Sequence, residues 1–328
     1  MTGLCDSFQR PINYLRISVT DRCNLRCIYC MPAEGVYHIS HKDILTYEEI
    51  YTVVQAAAEL GINKVRLTGG EPLVRLGLPK LLSLIGQIDT IDDISMTTNG
   101  ILLGSYVAEL KGAGLRRVNV SLDTLEPDRF KKITRSSYEL NDVINGIESA
   151  KSAGLNPVKI NVVVMPGIND DEVLNFAAKT VDEGWHVRFI ECMPAAGVSS
   201  DAWQFVSVDE IKKQLEQLGE LEPCLPRVGN GPARYFRFPN SRGSIGFISP
   251  ISEHFCFHCN RLRLTADGKL RPCLLSSEEI DLRQPLRCGM PSVELKRLIE
   301  TAASKKPLRH QLAEGHLPQG RPMTQVGG

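Results

Sequence analysis

The feature that most constrains the fold of this chain is a regular alternation of strand-like and helix-like segments over its first half. Short β-rich runs are separated by longer segments that carry apolar residues at helical spacing. These segments predict helices between Thr46 and Gly61, where Thr46 and Glu49 form a capping box, and over residues 137–154 and 171–183. Strands that alternate with helices are typical of a parallel sheet with right-handed crossovers. The predicted strands are residues 15–20, 64–68, 94–97, 117–121, 157–164 and 187–191.

The number of these strand–helix units predicts the fold class. Six units fit before residue 192, whereas a complete eight-stranded barrel typically needs ~250 residues. We therefore predict an α/β fold with an incomplete (βα)6 barrel, and an open doubly wound sheet is the alternative. After residue 192 the pattern changes to short, glycine-punctuated strands, which indicate a smaller α+β extension. The predicted domains are residues 1–235 and residues 236–328.

Charge and hydropathy exclude several classes of protein. Lys and Arg total 38, and Asp and Glu also total 38, so a broadly basic surface for nucleic acid is not expected. No run approaches the ~18 apolar residues of a membrane span. Residues 1–10 lack the apolar core of a signal peptide. These observations predict a cytoplasmic protein that binds neither membrane nor nucleic acid.

Three of the ten cysteines lie close together directly after the first predicted strand. Cys23, Cys27 and Cys30 have the spacing C-x3-C-x2-C. Structural zinc nearly always takes four ligands, and His38 and His41 are the nearest additional candidates. A cubane iron–sulfur cluster held by three cysteines leaves one iron open to another ligand. We favour the cluster, and zinc completed by a distant residue or unrelated buried thiols are the alternatives.

A second cysteine triad lies in the C-terminal part of the chain. It consists of Cys256, Cys259 and Cys273, in which a CxxC pair is followed by a third cysteine after a predicted hairpin. A second three-cysteine cluster, with its open iron facing a substrate, is the functional interpretation. Zinc with His254 or His258 as the fourth ligand is the alternative.

Polar or glycine-rich motifs follow each of the six predicted strands. In barrel-like α/β folds, the chemistry gathers beyond the carboxyl ends of the strands. Any one of these motifs alone could be a tight turn, but six at one rim indicate a site. They are residues 21–30, 69–72, 98–100, 121–123, 165–167 and 191–193.

Cationic residues recur on the predicted strands. A single strand arginine usually points outward or pairs with a carboxylate, but six around one presumed cavity require an anion. Polyphosphate suits several guanidinium groups well. The six residues are Arg16, Arg66, Lys159, Arg188, Arg261 and Arg263.

Together these motifs resemble the GTP 3′,8-cyclase family of radical S-adenosylmethionine (SAM) enzymes, which begin molybdenum cofactor biosynthesis. The match extends over nearly the whole chain. Two positions depart from the family pattern: Gln9 stands where glycine is usual, and Phe257 and His258 replace a smaller pair. The matching segments are residues 14–24, 66–72, 97–100, 119–123, 188–193, 259–263 and the terminal pair 327–328.

The resemblance implies two 4Fe–4S clusters, SAM and GTP as bound groups. The first cluster would bind SAM and the second would bind the substrate. SAM would be cleaved to methionine and 5′-deoxyadenosine, while GTP is converted to 3′,8-cyclo-7,8-dihydro-GTP. By matched position, the SAM contacts are Tyr29, Gly70, Ser121 and Met193. The GTP contacts are Arg16, Arg66, Thr97, Lys159, Arg261 and Arg263, and the catalytic residues are Arg16, Gly327 and Gly328.

The resemblance also implies partners. These are an electron donor such as flavodoxin or ferredoxin and the next enzyme of the pathway, cyclic pyranopterin monophosphate synthase. A monomer or homodimer is expected. Two other hypotheses stay open at this point: a radical SAM enzyme that modifies a peptide, and a non-catalytic zinc or iron–sulfur binding module.

Overall fold

A computed structural model describes residues 3–194, 204–225, 229–312 and 321–327. Within these ranges all the strands belong to one sheet. The strands are β1 (Tyr14–Ser18), β2 (Lys64–Thr68), β3 (Asp93–Thr98), β4 (Arg117–Ser121), β5 (Lys159–Val164), β6 (His186–Glu191), β7 (Glu222–Pro223), β8 (Arg234–Arg237), β9 (Ser244–Ile248), β10 (Arg261–Leu264), β11 (Lys269–Arg271) and β12 (Ile280–Asp281).

Most helices of the described ranges cover the outer face of this sheet, whereas the last of them, Met323–Val326, lines an internal cavity. None of them is both long and apolar enough to cross a membrane. They are α1 (Tyr47–Glu59), α2 (Leu78–Ile85), α3 (Leu103–Gly112), α4 (Pro127–Thr134), α5 (Leu140–Ser152), α6 (Val173–Asp182), α7 (Val208–Leu215), α8 (Arg283–Arg287), α9 (Ser292–Ser304) and α10 (Met323–Val326).

The sheet order is β12-β11-β10-β1-β2-β3-β4-β5-β6-β9-β8-β7. Strands β1 to β6 lie side by side and are parallel, and β10 and β9 continue the parallel pairing beside β1 and β6. The antiparallel strands lie at the two edges, and β12 and β7 do not pair with each other. The prediction of an incomplete parallel barrel is confirmed.

Helix α1 shows why the local sequence forms these elements. The predicted capping box is present: the Thr46 hydroxyl accepts from the Glu49 backbone N–H at 3.1 Å, and the Glu49 carboxylate accepts from the Thr46 N–H at 2.7 Å. This pair satisfies two backbone donors at the helix start. Ile50, Val53 and neighbouring apolar residues then pack against the outer face of the sheet.

The strands alternate between an apolar outer face and a polar inner face. On β1, Leu15 and Ile17 are fully buried in the core under the helices. Arg16 has the opposite orientation and lines an internal cavity. The same alternation on β2 places Leu67 in the core and Arg66 in the cavity. The barrel interior is therefore polar and cationic, while the hydrophobic core lies outside it.

Two features of the fold differ from a simple reading of the sequence. Of the helices between β1 and β6, α2, α3 and α4 were not predicted, because none has a side chain that caps its first turn and all three are short. Strands β9 and β10, which belong to the C-terminal extension, pair with β6 and β1 of the barrel. The extension thereby widens the barrel sheet at both of its edges.

Candidate active site

A cavity runs through the barrel and reaches both cysteine triads. Every predicted site residue except Gly327 and Gly328 lines it. Gly327 packs against the same strands, and Gly328 lies outside the described residues. The residues that the sequence analysis selected from distant motifs are therefore brought to one site.

The two triads lie at opposite ends of the parallel strands. Cys23, Cys27 and Cys30 follow the carboxyl end of β1. Cys259 precedes the amino end of β10, which is parallel to β1, and Cys273 follows β11, which returns antiparallel to that same end. The five residues of β1 span ~13 Å between their end Cα atoms. A ligand between the triads therefore has the length of a strand available to it.

The loop of the first triad rests directly on the motif that follows β2. The Gly70 N–H donates to the Thr20 carbonyl at 2.9 Å, and the Glu71 N–H donates to the Arg22 carbonyl at 2.8 Å. A Cβ at Gly69 would lie 2.5 Å from the Thr20 carbonyl oxygen. A Cβ at Gly70 would collide with the backbone of Arg22.

This packing gives the two glycines a structural role. Both are required by contact between two loops, and that contact positions the loop carrying the first triad. The SAM contact implied at Gly70 stays a prediction.

The Glu71 carboxylate connects these two loops to the motif that follows β3. It is fully buried and accepts hydrogen bonds from Thr98 Oγ1 at 2.8 Å and from the Asn99 N–H at 2.6 Å. Burial raises the pKa of Glu71 to about 7. Asn99 in turn donates from its side chain to Asn24 Oδ1 at 2.8 Å, beside the first triad.

Tyr29 is held beside the first triad by a buried carboxylate. Its hydroxyl donates to Asp123 Oδ2 at 2.8 Å, and Asp123 also accepts from the Val163 N–H at 2.8 Å. Burial raises the pKa of Asp123 to about 6 and, with the nearby Asp123 charge, raises the pKa of Tyr29. The Tyr29 ring is thereby fixed at the cavity wall, together with Ser121 and Met193.

The thiols of the first triad occupy an environment that disfavours free thiolates. Burial raises the pKa of Cys23 to about 12, and the Glu71 charge contributes in the same direction. Burial also raises the pKa of Cys30 to about 12, and the pKa of Cys27 is raised well above its usual value. Thiolates at this position require a cationic partner such as a metal centre.

The second triad has the opposite electrostatic environment. Burial alone would raise the pKa of Cys259, but Arg261 and Lys306 outweigh burial and lower the pKa to about 6. The Arg261 Nη2 atom lies 3.7 Å from Cys259 Sγ. Cationic side chains therefore already favour a thiolate at Cys259, whereas burial raises the pKa of Cys256.

Two buried cations that the sequence analysis missed hold the second triad together. Arg10 donates to the Cys256 carbonyl at 2.6 Å and to the Pro307 carbonyl at 2.7 Å. Lys306 donates to the Arg261 carbonyl at 2.8 Å and to the Pro272 carbonyl at 2.7 Å. Neither role has a local sequence signal, because the bonded residues are far apart in the chain.

The spacing of the sulfurs distinguishes an iron–sulfur cluster from a single zinc ion. Tetrahedral zinc–thiolate geometry places sulfurs ~3.8 Å apart. Neither triad, both of which lie wholly within the described ranges, forms a set of ligand atoms that are all within 4.8 Å of one another. Wider spacing suits cysteines that bind separate corners of a cubane. The residues of each triad therefore fit a 4Fe–4S cluster, and three ligands leave one iron open.

Cationic side chains line the cavity between the triads. Arg16 on β1 lies in register with Arg66 on β2 and with Arg263 on β10. Burial and the neighbouring cations lower the pKa of Arg16 well below its usual value and lower the pKa of Arg263 to about 9. Burial, with Arg188 and Arg117 acting in the same direction, outweighs the opposing effect of Tyr14 and lowers the pKa of Arg66 to about 10.

Further cations line the other side of the barrel. Burial and the charges of Arg188 and Arg117 lower the pKa of Lys159 to about 6. Tyr235, which the sequence analysis did not select, accepts from Arg188 Nε at 2.9 Å and from Lys159 Nζ at 3.4 Å. Arg117 forms a buried ion pair with Asp93. A polyanion in this cavity would relieve the repulsion that lowers these pKa values.

The C-terminal tail enters the barrel from the side of β1 and β2. Gly327 has a φ of +69°, and a Cβ there would lie 2.5 Å from Thr68 Cγ2. The Gly327 carbonyl accepts a hydrogen bond from Arg263 Nη1. Val326 is 4% exposed, so the residue before the glycines is an apolar anchor for the tail. Arg263, predicted as a GTP contact, also positions the tail.

Two family models together match most of the chain. The Radical SAM superfamily model matches residues 17–179, and the model described as Molybdenum Cofactor Synthesis C matches residues 185–312. The crystal structure of Streptococcus suis SuiB bound to the precursor peptide SuiA superposes with a TM-score of 0.63 and 12% sequence identity. The superposition covers 92% of this chain and 66% of that chain, and it shows a common fold.

Curated relatives are similar over nearly the full length. The GTP 3′,8-cyclase of Moorella thermoacetica is 52% identical over 323 residues, which cover 98% of this chain and 99% of the relative. The GTP 3′,8-cyclase of Pelotomaculum thermopropionicum is 53% identical over 325 residues, with the same coverage of 98% and 99%. With both triads and the cationic cavity in place, this chain belongs to the GTP 3′,8-cyclase family of radical SAM enzymes.

Proposed function

We propose that this protein converts GTP to 3′,8-cyclo-7,8-dihydro-GTP, the first step of molybdenum cofactor biosynthesis, with cleavage of SAM to methionine and 5′-deoxyadenosine. Membership of the family supports the reaction. The single structural observation that carries the proposal is one cavity with an open-iron triad at each end and basic side chains between them. Such a cavity suits SAM at one end and a nucleoside triphosphate along its length.

The cysteine triads would hold the two clusters. Cys23, Cys27 and Cys30 would bind the 4Fe–4S cluster that takes SAM on its open iron, and Cys256, Cys259 and Cys273 would bind the second. When bound, the SAM-ligated cluster would supply the electron that cleaves SAM, and the 5′-deoxyadenosyl group would take hydrogen from C3′ of GTP as C3′ bonds to C8. A second electron and a proton, from the reductant and solvent, would complete the 7,8-dihydro product. The protein positions the two reactants and excludes water from the cavity.

The SAM contacts would come from the loops that follow the strands around the first triad. Tyr29, Gly70, Ser121 and Met193 line the cavity at this end. The hydrogen bond from Tyr29 to Asp123 fixes the ring orientation in advance of binding. The contact between the two loops at Gly70 likewise fixes the adjacent backbone before SAM binds.

The GTP contacts would come from the lysine and arginine side chains that line the cavity, here called the basic wall. Arg16, Arg66 and Arg263 line the cavity from the neighbouring strands β1, β2 and β10. Lys159 lines it from β5 on the other side of the barrel, and Thr97 from β3. Charge-assisted bonds from these groups would hold the triphosphate. Arg261, beside Cys259, would face the end of the substrate nearest the second triad. Gly327 would close the wall between Arg263 and Thr68, with Gly328 beyond it and Arg16 as the catalytic cation.

A peptide substrate fits this cavity less well. Eight basic side chains line its described wall, with Glu191 as the acidic residue among the lining. A peptide backbone offers no comparable negative charge, so several buried cations would stay uncompensated. The high basic density favours a triphosphate.

Family membership also supports proposals for the partners, the localisation and the oligomeric state of the protein. A small electron carrier such as flavodoxin or ferredoxin would reduce the first cluster, and cyclic pyranopterin monophosphate synthase would consume the product. The protein would act in the cytoplasm as a monomer or homodimer. We also propose that the functional division of the chain falls near residue 235, before the strands that carry the second triad.

Anaerobic reconstitution tests the proposal directly. The full-length chain is loaded with iron and sulfide, reduced, and given SAM with each nucleoside triphosphate in turn. We expect 5′-deoxyadenosine and a cyclised product with GTP and no cyclised product with ATP, CTP or UTP. Two zinc atoms per chain, with no labile sulfide and no 5′-deoxyadenosine, would contradict it.

A further inference from the structure

Two histidines beside the second triad have no role in the proposed reaction. A ring nitrogen of His254, a ring nitrogen of His310 and the Sγ atom of Cys256 all lie within 4.8 Å of one another. Across the described ranges, no other three His, Cys, Asp or Glu side chains meet this criterion. Two imidazoles and a thiolate form a donor set that zinc commonly takes in proteins.

His310 makes the kind of hydrogen bond that commonly supports a metal-bound histidine. It is 7% exposed, and its Nε2 atom lies 2.6 Å from the Pro250 carbonyl oxygen. The tautomer that satisfies this contact donates from Nε2 and leaves a lone pair on Nδ1. Metal-ligating histidines typically donate their other ring N–H to a carbonyl in this way. Nδ1 otherwise accepts a long bond of 3.3 Å from the Leu312 N–H.

His254 supplies an independent observation. Its Nδ1 atom is buried and has no hydrogen-bond partner among the described residues. Its ring meets His310 edge to face, with centroids 4.9 Å apart. A buried nitrogen without a partner is costly, and coordination to a metal would satisfy it.

The backbone around these side chains is cross-linked before any metal binds. Arg10 donates to the carbonyls of Cys256, Pro307 and Leu308 at 2.6, 2.7 and 2.9 Å, respectively. The loop that carries Cys256 is thereby joined to the segment that carries His310. Because Arg10 is itself buried and paired with Asp6, this arrangement does not depend on a cluster.

We propose that His254, Cys256 and His310 bind one zinc ion when the second triad holds no cluster. Tetrahedral coordination needs ligand atoms ~3.3–3.8 Å apart, which small side-chain rotations from the present positions can reach. Three protein ligands leave the fourth position to water. Cys256 loses its proton on binding, so the site takes up zinc and releases one proton.

One consequence is that zinc and the second cluster exclude each other. Cys256 cannot bind zinc and an iron of the cluster at the same time. This exclusion rests on the proposed assignment of Cys256 to the second cluster, whereas zinc binding itself does not. Zinc would thus block cluster assembly at one end of the cavity and leave the first triad untouched.

The test uses the full-length, cluster-free chain with Cys23, Cys27 and Cys30 replaced by serine, so that the first triad does not bind metal. Zinc is titrated against a chelating dye, and cobalt(II) reports thiolate coordination through its near-ultraviolet charge-transfer band. We expect about one metal per chain. His254→Ala should weaken zinc binding by at least tenfold, and Cys256→Ser should remove the charge-transfer band.

Matched variants separate this site from the cysteine triad. His258→Ala removes an exposed histidine of the same loop, and Cys273→Ser removes a triad ligand outside the proposed site. Both should retain zinc binding. Loss of binding in Cys259→Ser and Cys273→Ser, with none in His254→Ala, would assign the zinc to the triad and overturn the proposal. Unchanged thermal unfolding of His254→Ala would show that its loss of zinc is not a loss of fold.

A second experiment tests the exclusion in the natural chain. Zinc is added before iron and sulfide, and iron is then counted per chain. We expect about half the iron of an untreated sample, and full loading in His254→Ala. Full iron loading with zinc still bound would overturn the exclusion. Failure of the chain to cyclise GTP would contradict the proposed function and leave the zinc result unaffected.

Discussion

The two cysteine triads occupy opposite ends of one cavity and are built in opposite ways. The first is a single loop of eight residues, Cys23 to Cys30, whose thiols are buried beside Asp123 and Glu71. The second draws on residues from Cys256 to Cys273 and is surrounded by Arg10, Arg261 and Lys306. Burial, with smaller contributions from the acidic neighbours, raises the thiol pKa values in the first triad. In the second triad, basic neighbours lower the pKa of Cys259.

The difference matches the partner expected at each end. A buried site with acidic neighbours stabilises a centre that carries positive charge, as the SAM sulfonium does. A site with cationic neighbours stabilises extra negative charge and adjoins the basic wall where a triphosphate would bind. The electrostatics of the two ends would therefore orient the two reactants.

The largest expected effect comes from removing one cysteine at each end. Cys27→Ser should abolish SAM cleavage and leave about half of the iron, because the second triad is independent. Cys259→Ser should also lose about half of the iron, yet retain uncoupled formation of 5′-deoxyadenosine without cyclised product. Iron analysis and chromatography of both nucleosides on the same preparations check this. SAM cleavage that survives in Cys27→Ser would reverse the assignment of the two ends.

The next effect concerns the tail between the two ends. Gly327→Ala places a Cβ 2.5 Å from Thr68 Cγ2 in a left-handed backbone conformation, so the tail should be displaced and cyclisation abolished while both clusters load. Removal of the terminal pair 327–328 should have the same effect. Gly289→Ala is the matched control, since its φ is +73° but nothing lies within 4 Å of the new Cβ. Near-normal product from Gly327→Ala would show that the tail has no part in the reaction.

Arg263→Ala should weaken GTP binding more than guanosine binding, because the lost side chain is part of the basic wall. A charge-assisted bond is worth ~1.5–3 kcal/mol, or about 10- to 150-fold in affinity. The variant also frees the Gly327 carbonyl, so product formation should fall further than binding. Calorimetric titration with both ligands measures the effect. Equal losses for GTP and guanosine would place Arg263 outside the phosphate-binding wall.

Lys159 should make GTP binding depend on pH. Its pKa of about 6 in the ligand-free chain lies below the usual value for lysine, and a bound triphosphate should raise it. Binding therefore takes up about one proton between pH 6 and the higher bound pKa, and this contribution to affinity weakens as pH rises through that window. Titrations at pH 8 in two buffers of different ionisation enthalpy measure the uptake. The Lys159→Met variant should lack it, and equal uptake in both proteins would refute the assignment.

The smallest effect concerns the N-terminal segment whose Arg10 side chain supports the second triad. Gln9, which stands where the family usually has glycine, has a φ of +61°. Gln9→Gly removes this backbone strain and should raise the free energy of unfolding by ~0.5–1 kcal/mol. Denaturant unfolding of the cluster-free protein tests it, with Gln87→Gly as a control for the added chain entropy. A destabilised Gln9→Gly would mean that the Gln9 side chain contributes more than its backbone costs.

The features predicted correctly from the sequence depend on local patterns. Strands β2 and β4 have the predicted bounds, since an alternating apolar pattern and flanking turns define them locally. The cysteine triads were recognised because the spacing of metal ligands is a short, local sequence pattern. The capping box of α1 is a third example.

The features that were missed depend on contacts across the chain. Arg10 binds the carbonyl of Pro307, and Tyr235 meets Lys159 and Arg188 from another strand. Neither Arg10 nor Tyr235 lies in a local sequence pattern that indicates its role. The contact of Gly70 with the loop of the first triad was also missed, because a glycine indicates a close approach but does not identify the group that approaches.

The span of chain that builds each triad has a consequence for the order of assembly during synthesis. All three ligands of the first triad have been translated once residue 30 is made, and its supporting motifs are complete by the end of β6. The second triad needs Lys306 and the carbonyls of residues 307 and 308 for its bracing. The tail that meets Arg263 is translated after all of these. A ribosome-bound chain can therefore load its first cluster before it has made the residues that hold the second, and the reactive end of the cavity is the earlier one to mature.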